Sequence, residues 1–445
     1  MKRALVITYY WTPCGGAGVQ RWLKFCKYLP SFDIRPIVLT VDEKQASYPQ
    51  FDESLEADVS PTLRVERTKT RELYNFYKRF SPQKEIPYGG FSNEKKPNLF
   101  QKISRFIRGN FFLPDPRRGW NKFAYKRACE LIENERIDTV ITTSPPHSTQ
   151  LIGRKLKKKY PKLKWIADLR DPYTDIYYYK DLYPTFFATQ INKFYERKIL
   201  TEADKILTVS EDLKRIFSEK LSCHSVLDTE SPEQQEIAGQ ARNDSYHKII
   251  VIPNGYDEED FENISEEKTP DKFVITYTGT MSDVYDISAL ISAIKNLPEN
   301  YLEKLLLRFV GNISPNIILQ MKENGLAENT EFINYVAHKK SIEFLKNADL
   351  LLLVIAKTEN NKGIVTGKLF EYLASETPIL CIAPNGDAAK IIEDCRAGQT
   401  FDYADEQAIS DYLIFLLEEK RTKTGNKSYQ KYSRKKLTEL LVNTL

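Results

Sequence analysis

The sequence is short of the residues that build metal centres and disulfide frameworks. Its 445 residues include six cysteines and four histidines, with no CxxC pair and no cluster of cysteines and histidines. The first residues have no signal-peptide pattern, so we interpret the cysteines as reduced cytosolic thiols. Acidic clusters with metal-ligand spacing are also missing. The sequence therefore predicts no disulfide, no metal site and no cofactor.

Long apolar runs and a strong net charge are missing as well. The longest apolar run, near residues 350–356, is much shorter than the ~20 residues that a membrane-spanning helix needs. The formal net charge is only +4, from 65 basic and 61 acidic side chains, which gives no global sign of a nucleic-acid partner. We expect a cytoplasmic protein, attached at most peripherally to the inner face of the plasma membrane.

Short, β-branched strands alternate with amphipathic helices in two series along the chain. A chain of this length exceeds one core, and strands buried on both faces and separated by helices form parallel sheets. The sequence therefore predicts two doubly wound domains facing each other across a cleft, at 1–262 and 270–425, followed by a closing helix at 426–445. Residues 222–246 show no helix or strand period and are predicted to be a mobile insertion in the first domain.

One predicted helix carries a lysine in its first turn, where the helix dipole disfavours a cation. In the stretch TGKLFEYLASETPIL, Thr366 can cap this helix and Gly367 lets a ligand approach the backbone. Lys368 and Glu371 share one helix face. They form either an exposed ion pair or the site of a phosphorylated ligand, with Lys368 on the phosphate and Glu371 on a sugar hydroxyl.

The same stretch resembles the donor-nucleotide motif of the retaining glycosyltransferases of family 4. Further stretches resemble other landmarks of that family, in the same order along nearly the whole chain: CGGAG, IADLRDP, ADKILTVSEDL, VIPNGYDEEDF, YTGT, RFVGN and INYVAHKKSIEFLKNADLLLL. The resemblance implies a GT-B fold of two facing Rossmann-like domains, with the closing helix returning to the first domain. It also implies a nucleoside-diphosphate sugar as the donor substrate.

The resemblance also implies roles for individual residues. Glu371 would bind the nucleotide ribose, and Lys368 would stabilise the departing diphosphate. The other donor-binding residues that it implies are Gly15, Gly16, Gly279, Thr280, Tyr335, Val336, Ala337, Thr366, Gly367 and Leu369. The implied enzyme is a hexosyltransferase of polysaccharide biosynthesis, which transfers sugar with retention to a hydroxyl of a cell-surface glycan or lipid-linked acceptor.

Two departures from the family pattern keep alternative hypotheses open. Many members carry another glutamate eight residues before the one that corresponds to Glu371, and this sequence has Gly363 at that position. The stretch TGTMSDVYD also lacks the Arg/Lys pair that neutralises a leaving diphosphate in many members. The alternatives are a non-catalytic partner that binds nucleotide sugar or glycan in a polysaccharide-assembly complex, and a sugar-nucleotide epimerase of the same fold.

Candidates for the acceptor side lie in the first half of the chain. His147 follows a strand at the end where α/β sheets bind ligands, and it serves either catalysis or a loop hydrogen bond. Asp168, Arg170 and Asp171 lie at the end of the strand WIADLRDP, where either an Arg–Asp pair fixes the loop before Pro172, or Asp168 or Asp171 positions the acceptor hydroxyl in catalysis. Arg170 and Asp171 are assigned to the acceptor side.

Three further features have less specific signals. Bases and aromatics interleave within 101–125, which indicates either a helix with a solvated basic face or docking on an anionic membrane surface. No motif accompanies this stretch to support nucleic-acid binding. GGAGVQ lacks the last glycine of a dinucleotide fingerprint and is better explained as a tight turn. His338 is predicted to face solvent.

Overall fold

The computed structural model describes residues 2–72, 99–222, 246–262, 264, 267, 269–419 and 423–445. Within them the chain forms two compact units. The first unit runs to Pro253 and includes Leu437–Leu445, and the second comprises Asn254–Lys436. The predicted insertion at 222–246 lies, apart from its two end residues, outside the described residues.

Seven parallel strands form the sheet of the first unit. They are β1 (Lys2–Ile7), β2 (Ile34–Val41), β3 (Arg64–Thr68), β4 (Thr139–Ser144), β5 (Lys164–Leu169), β6 (Lys205–Thr208) and β7 (Ile249–Val251). Their order across the sheet is β3-β2-β1-β4-β5-β6-β7, and every neighbouring pair is parallel. Residues 4–7 of β1 are all buried, as the central strand of a sheet covered on both faces requires.

Helices connect these strands. They are α1 (Ala17–Tyr28), α2 (Leu99–Phe111), α3 (Asn121–Glu135), α4 (Gln150–Lys159), α5 (Phe186–Glu202) and α6 (Glu211–Ser222). Short 3-10 turns at Pro116–Trp120, His147–Thr149 and Tyr177–Leu182 bring further side chains to the carboxyl ends of the strands. In open parallel sheets this edge is where ligands bind.

Six parallel strands form the sheet of the second unit. They are β8 (Phe273–Thr278), β9 (Leu305–Val310), β10 (Thr330–Ile333), β11 (Leu350–Val354), β12 (Ile379–Ile382) and β13 (Gly398–Phe401). Their order is β10-β9-β8-β11-β12-β13. The helices are α7 (Ser288–Lys295), α8 (Glu299–Leu302), α9 (Pro315–Glu323), α10 (His338–Lys346), α11 (Gly367–Ser375), α12 (Asp387–Asp394) and α13 (Glu406–Glu419).

The last helix, α14 (Arg434–Val442), carries the chain back to the first unit. Leu437, Leu441 and Leu445 are buried in the hydrophobic core of that unit. The carbonyl of Leu445 accepts hydrogen bonds from the Lys2 and Lys164 ammonium groups at 2.6 and 3.0 Å. The first unit therefore contains residues from both ends of the sequence.

The cysteines in the described part of the chain are all buried and free of disulfide bonds: Cys14, Cys26, Cys129, Cys381 and Cys395. No described helix has the length and apolarity needed to cross a membrane.

Candidate functional site

The start of helix α11 leaves polar groups available to a ligand. Thr366 occupies the N-cap position, as predicted, but its side chain caps nothing. Its Oγ1 is buried and has no hydrogen-bond partner among the described residues. The Leu369 amide turns back to the Thr366 carbonyl at 3.2 Å, while the first amides of a helix have no partner within it. These groups are suited to an anion.

Lys368 is held beside this helix start by Tyr277. The Lys368 ammonium lies 4.1 Å from the centroid of the Tyr277 ring and donates a 2.7 Å hydrogen bond to its hydroxyl. That hydroxyl donates in turn to the Thr280 carbonyl at 2.7 Å. Burial lowers the pKa of Lys368 from 10.5 to about 7, and the charge of Glu371 opposes the shift only in part. The lysine is therefore a strong candidate for a functional group.

Gly279 makes room for this arrangement. Its φ is +107°, in the region that favours glycine, and a Cβ at this position would lie 3.0 Å from the Lys368 Nζ. The strand end at Gly279 and Thr280 and the start of α11 thus lie around one ammonium group.

Glu371 is oriented by His338. The sequence predicts that His338 faces solvent, but its side chain is largely buried. The His338 Nε2 lies 2.9 Å from Glu371 Oε1, and the two side chains are only 13% and 15% exposed. Because an ionised carboxylate only accepts hydrogen bonds, the imidazole is the donor. Asp260 Oδ2 lies 4.0 Å from His338 Nδ1 on the other side of the ring. His338 is the functional candidate that the sequence patterns missed.

The remaining predicted donor residues of the second unit lie before α10 and within α11. Tyr335 and Val336 follow β10, and Ala337 is the N-cap of α10, the helix that begins with His338. Leu369 is fully buried in the core, so only its backbone is available to a ligand. Gly363 is buried at the end of a short 3-10 turn.

Gly15 and Gly16 shape the turn before α1 in the first unit. A Cβ on Gly15 would lie 3.0 Å from the Asp52 Cβ, and the Gly15 amide donates to the Gln50 carbonyl at 3.0 Å. Gly16 has φ +93° and is the N-cap of α1. Both glycines are thus accounted for by the tight turn, and the helix start that they expose is suited to an anion.

His147 stacks on Tyr173, with ring centroids 4.2 Å apart. Burial, together with the charges of Arg170 and Lys220, lowers the pKa of His147 to about 3. The ring therefore stays neutral at physiological pH and is a weak proton acceptor, and its Nδ1 is buried without a hydrogen-bond partner among the described residues.

Asp168 lies in the interior of the first unit with both carboxylate oxygens occupied. Oδ1 accepts from Arg21 Nη2 at 3.1 Å. Oδ2 accepts from Trp22 Nε1 at 2.7 Å and from Thr143 Oγ1 at 2.8 Å. Both Arg21 and Asp168 have fully buried side chains. Asp168 therefore pairs with the distant Arg21, which the sequence patterns did not indicate, and it is placed to hold the fold.

Arg170 and Asp171 lie at the end of β5. The Arg170 guanidinium donates to the Ser144 carbonyl at 2.8 Å and to the Gly18 carbonyl at 3.2 Å. Burial lowers the pKa of Arg170, although the charges of Asp168 and Asp171 oppose this shift. Burial raises the pKa of Asp171, against the effect of Arg170. These two groups remain candidates for contact with an acceptor.

The segment 101–125 is not one surface helix. It contains the C-terminal part of α2, the turn Pro116–Trp120 and the start of α3. Trp120 is fully buried and Arg117 is only 7% exposed, so this half belongs to the interior. The exposed aromatic and aliphatic side chains are instead on α2.

Comparison with known proteins gives both a sequence match and a structural match. Residues 258–436 match the model of a family described as "Glycosyl transferases group 1". Three solved structures have TM-scores of 0.59 over the whole chain: Anabaena HepE with UDP and glucose, Thermosynechococcus elongatus sucrose-phosphate synthase, and S. aureus TarM with Fondaparinux, alpha-GlcNAc-glycerol and UDP. The fold is that of the GT-B glycosyltransferases. The fold predicted from the sequence is confirmed.

These GT-B structures are distant in sequence. Their identities to this chain are 12%, 13% and 12%, and the chain covers 99%, 98% and 99% of their lengths. No protein with a curated description matches the sequence. The matched segment 258–436 contains the whole arrangement of Tyr277, His338, Thr366, Lys368 and Glu371.

Proposed function

We propose that the protein transfers a hexosyl group from a nucleoside-diphosphate sugar to a hydroxyl of a cell-surface glycan or lipid-linked acceptor, with retention of configuration. The observation that carries the proposal is the start of α11. The Thr366 hydroxyl, which has no partner among the described residues, the first amides of the helix and the Lys368 ammonium together make a site for a diphosphate. Glu371, three residues further on, provides a fixed carboxylate for a ribose hydroxyl.

The roles of these groups follow from their chemistry. As the bond to the sugar breaks, negative charge grows on the diphosphate, and the Lys368 ammonium and helix amides are aimed at that charge. The acceptor hydroxyl approaches the face from which the diphosphate leaves, and a phosphate oxygen takes its proton. Neither a metal nor a cofactor is required by this arrangement.

The experiment that tests the proposal is calorimetric titration with UDP-, GDP- and CMP-sugars, followed by product analysis. A glycosyltransferase should bind one class of donor. In the absence of an acceptor it should also hydrolyse this donor slowly and release the nucleoside diphosphate. The anomeric configuration of a product, measured by NMR, tests retention. Binding without any cleavage would favour the non-catalytic alternative, and formation of an epimer without an acceptor would favour the epimerase.

Glu371→Ala is expected to weaken donor binding about tenfold or more, because a hydrogen bond to a charged group is lost. His338→Ala should weaken binding by a smaller factor in the same direction, since Glu371 loses the partner that orients it. The Kd of the donor, measured by calorimetry, checks both. Lys339→Ala is the matched control, because Lys339 is the exposed neighbour of His338 on α10. Unchanged Kd values in both site variants would contradict the assignment of Glu371 to the donor.

We further propose that helices α2 and α5 dock on an anionic membrane surface. The end of α2 packs against the start of α5, where the Thr185 amide donates to Asn110 Oδ1 at 2.7 Å. Large apolar side chains are exposed along both helices: Leu99, Phe100, Ile103, Phe106, Ile107, Phe111, Phe186, Phe187, Ile191 and Phe194. Exposed bases flank them: Lys102, Lys180, Lys193 and Arg197. Apolar insertion combined with basic flanks is typical of interfacial helices.

Replacing Ile103 and Phe187 together by glutamate should lower the fraction of protein bound to anionic vesicles about tenfold, since both apolar burial and charge attraction are lost. Cosedimentation with phosphatidylglycerol vesicles measures this fraction. Leu319→Glu changes an exposed leucine of the second unit and serves as control. Equal loss in the control, or binding to uncharged phosphatidylcholine vesicles as strong as to anionic ones, would contradict the proposal.

A further inference from the structure

Arg117 is a buried charge without an ion pair. It is only 7% exposed, its Nε has no hydrogen-bond partner, and its Nη2 makes one long hydrogen bond to the Ser47 carbonyl at 3.4 Å. Among the described residues no carboxylate lies within ion-pair distance of its guanidinium. A buried charge is costly unless it is paired and hydrogen-bonded, so this position needs an explanation.

The nearby carboxylates already have other partners. Both oxygens of Asp115 accept from Ser148, from its amide at 2.7 Å and its hydroxyl at 2.8 Å. Glu72 Oε1 accepts from the hydroxyls of Tyr9 and Thr70, while its Oε2 is buried without a hydrogen bond. Burial opposes the charge of Arg117, but Tyr10, Tyr9, Asp115 and Glu72 raise its pKa on balance. The guanidinium therefore stays charged.

Two further guanidinium groups lie close to the same place. Burial and the charge of Arg117 both lower the pKa of Arg108, so these two cations repel each other. Arg170 is fixed by its hydrogen bond to the Gly18 carbonyl. Arg170 Nη2 and the Tyr10 ring both come within 4.0 Å of the position that a Cβ on Gly18 would take. Arg108, Arg117 and Arg170, which we call the arginine cluster, thus all interact electrostatically with Tyr10, the third residue after β1.

We propose that the arginine cluster binds an anionic oxygen group, a phosphate or a carboxylate, carried by the acceptor. The assignment of this ligand to the acceptor rests on the proposed glycosyl transfer, whereas the binding of the anion itself does not. Guanidinium groups offer planar, paired N–H donors that match phosphate and carboxylate oxygens. An anion here would supply the hydrogen bonds that Arg117 lacks and remove the repulsion between Arg117 and Arg108. An uncharged glycan could accept hydrogen bonds from Arg117, but it would leave the repulsion between Arg117 and Arg108 in place.

The test is calorimetric titration of the full-length protein with inorganic phosphate and with glucuronate, using glucose as the uncharged probe. We expect phosphate or glucuronate to bind and glucose not to bind. The anion that binds more tightly shows whether the group on the acceptor is a phosphate or a carboxylate. Arg117→Gln should weaken that binding about tenfold or more. Arg118→Gln is the matched control, because the neighbouring Arg118 is exposed and its guanidinium donates to the Leu113 carbonyl at 2.8 Å.

A stability measurement separates this site from a purely structural arginine. If Arg117 awaits a ligand, Arg117→Met should leave the midpoint of thermal unfolding unchanged or raise it, and added phosphate should stabilise the wild type but not the variant. A large fall in the midpoint for Arg117→Met, with no anion binding in the wild type, would overturn the proposal. Equal loss of binding in Arg117→Gln and Arg118→Gln would also overturn the proposal, because it would show that the anion is attracted non-specifically to positive charge. Donor titrations on the same wild-type sample test the proposed function separately, since they involve residues of the second unit.

Discussion

Lys368→Met is expected to lower kcat about 100-fold or more, while the donor remains able to bind through Glu371. Methionine keeps the length of the side chain and its contact with the Tyr277 ring, but it removes the charge that faces the departing diphosphate. Loss of one preorganised donor at a developing negative charge typically costs this much in rate. Steady-state kinetics at saturating donor measures the effect. Lys295→Met is the control, because Lys295 is an exposed lysine on α7.

The lowered pKa of Lys368 gives the same prediction a pH signature. With a pKa of about 7, the free protein holds this lysine mostly neutral at pH 8. A bound diphosphate favours the charged form and so raises the pKa. Donor binding above pH 7 should therefore take up close to one proton, and donor affinity should fall as pH rises from 7.

Calorimetry in buffers of different ionisation enthalpy measures this proton uptake. The uptake should disappear in Lys368→Met and persist in Lys295→Met. Binding of the donor without proton exchange at pH 8, or a kcat unchanged by Lys368→Met, would mean that the lysine does not meet the diphosphate.

Local sequence was sufficient for most of the fold and for the part of the candidate site that lies on α11. The central strands could be predicted because burial on both faces requires nearly continuous apolar runs. The edge strands β3 and β13 could not be predicted in this way, because RVERT and GQTF are short and polar. The groups at Thr366, Lys368 and Glu371 are contiguous on one helix, so their spacing alone placed them together.

Contacts between distant parts of the chain could not be read from spacing. The partner of Glu371 is His338, 33 residues away, and the partner of Lys368 is Tyr277, 91 residues away. Asp168 pairs with Arg21, 147 residues away, whereas the local sequence offered only the nearby Arg170 for an Arg–Asp pair. Arg117 looked like part of a basic surface because composition does not reveal which bases the fold buries.

Asp168→Ala is expected to destabilise the first unit by about 3–5 kcal/mol, the usual cost of breaking a buried ion pair on one side. The variant would leave the Arg21 guanidinium fully buried with only the carbonyls of Ile252 and Pro253, at 2.8 and 2.9 Å, as acceptors. It would also remove the acceptor for Trp22 Nε1. The free energy of unfolding in urea measures the loss.

Tryptophan fluorescence makes this measurement specific to one unit. All four tryptophans, Trp11, Trp22, Trp120 and Trp165, belong to the first unit, so their emission follows its unfolding alone. If Asp168 instead acted on the acceptor, Asp168→Ala should fold with nearly wild-type stability and lose activity only.

A double variant decides between these outcomes. Arg21→Met combined with Asp168→Leu removes both charges and replaces them with apolar side chains, which in buried ion pairs is often neutral for stability. It should recover much of the stability that Asp168→Ala loses. If activity returns with stability, the carboxylate supports the fold and takes no part in the transfer. A stable but inactive double variant would return Asp168 to the catalytic residues.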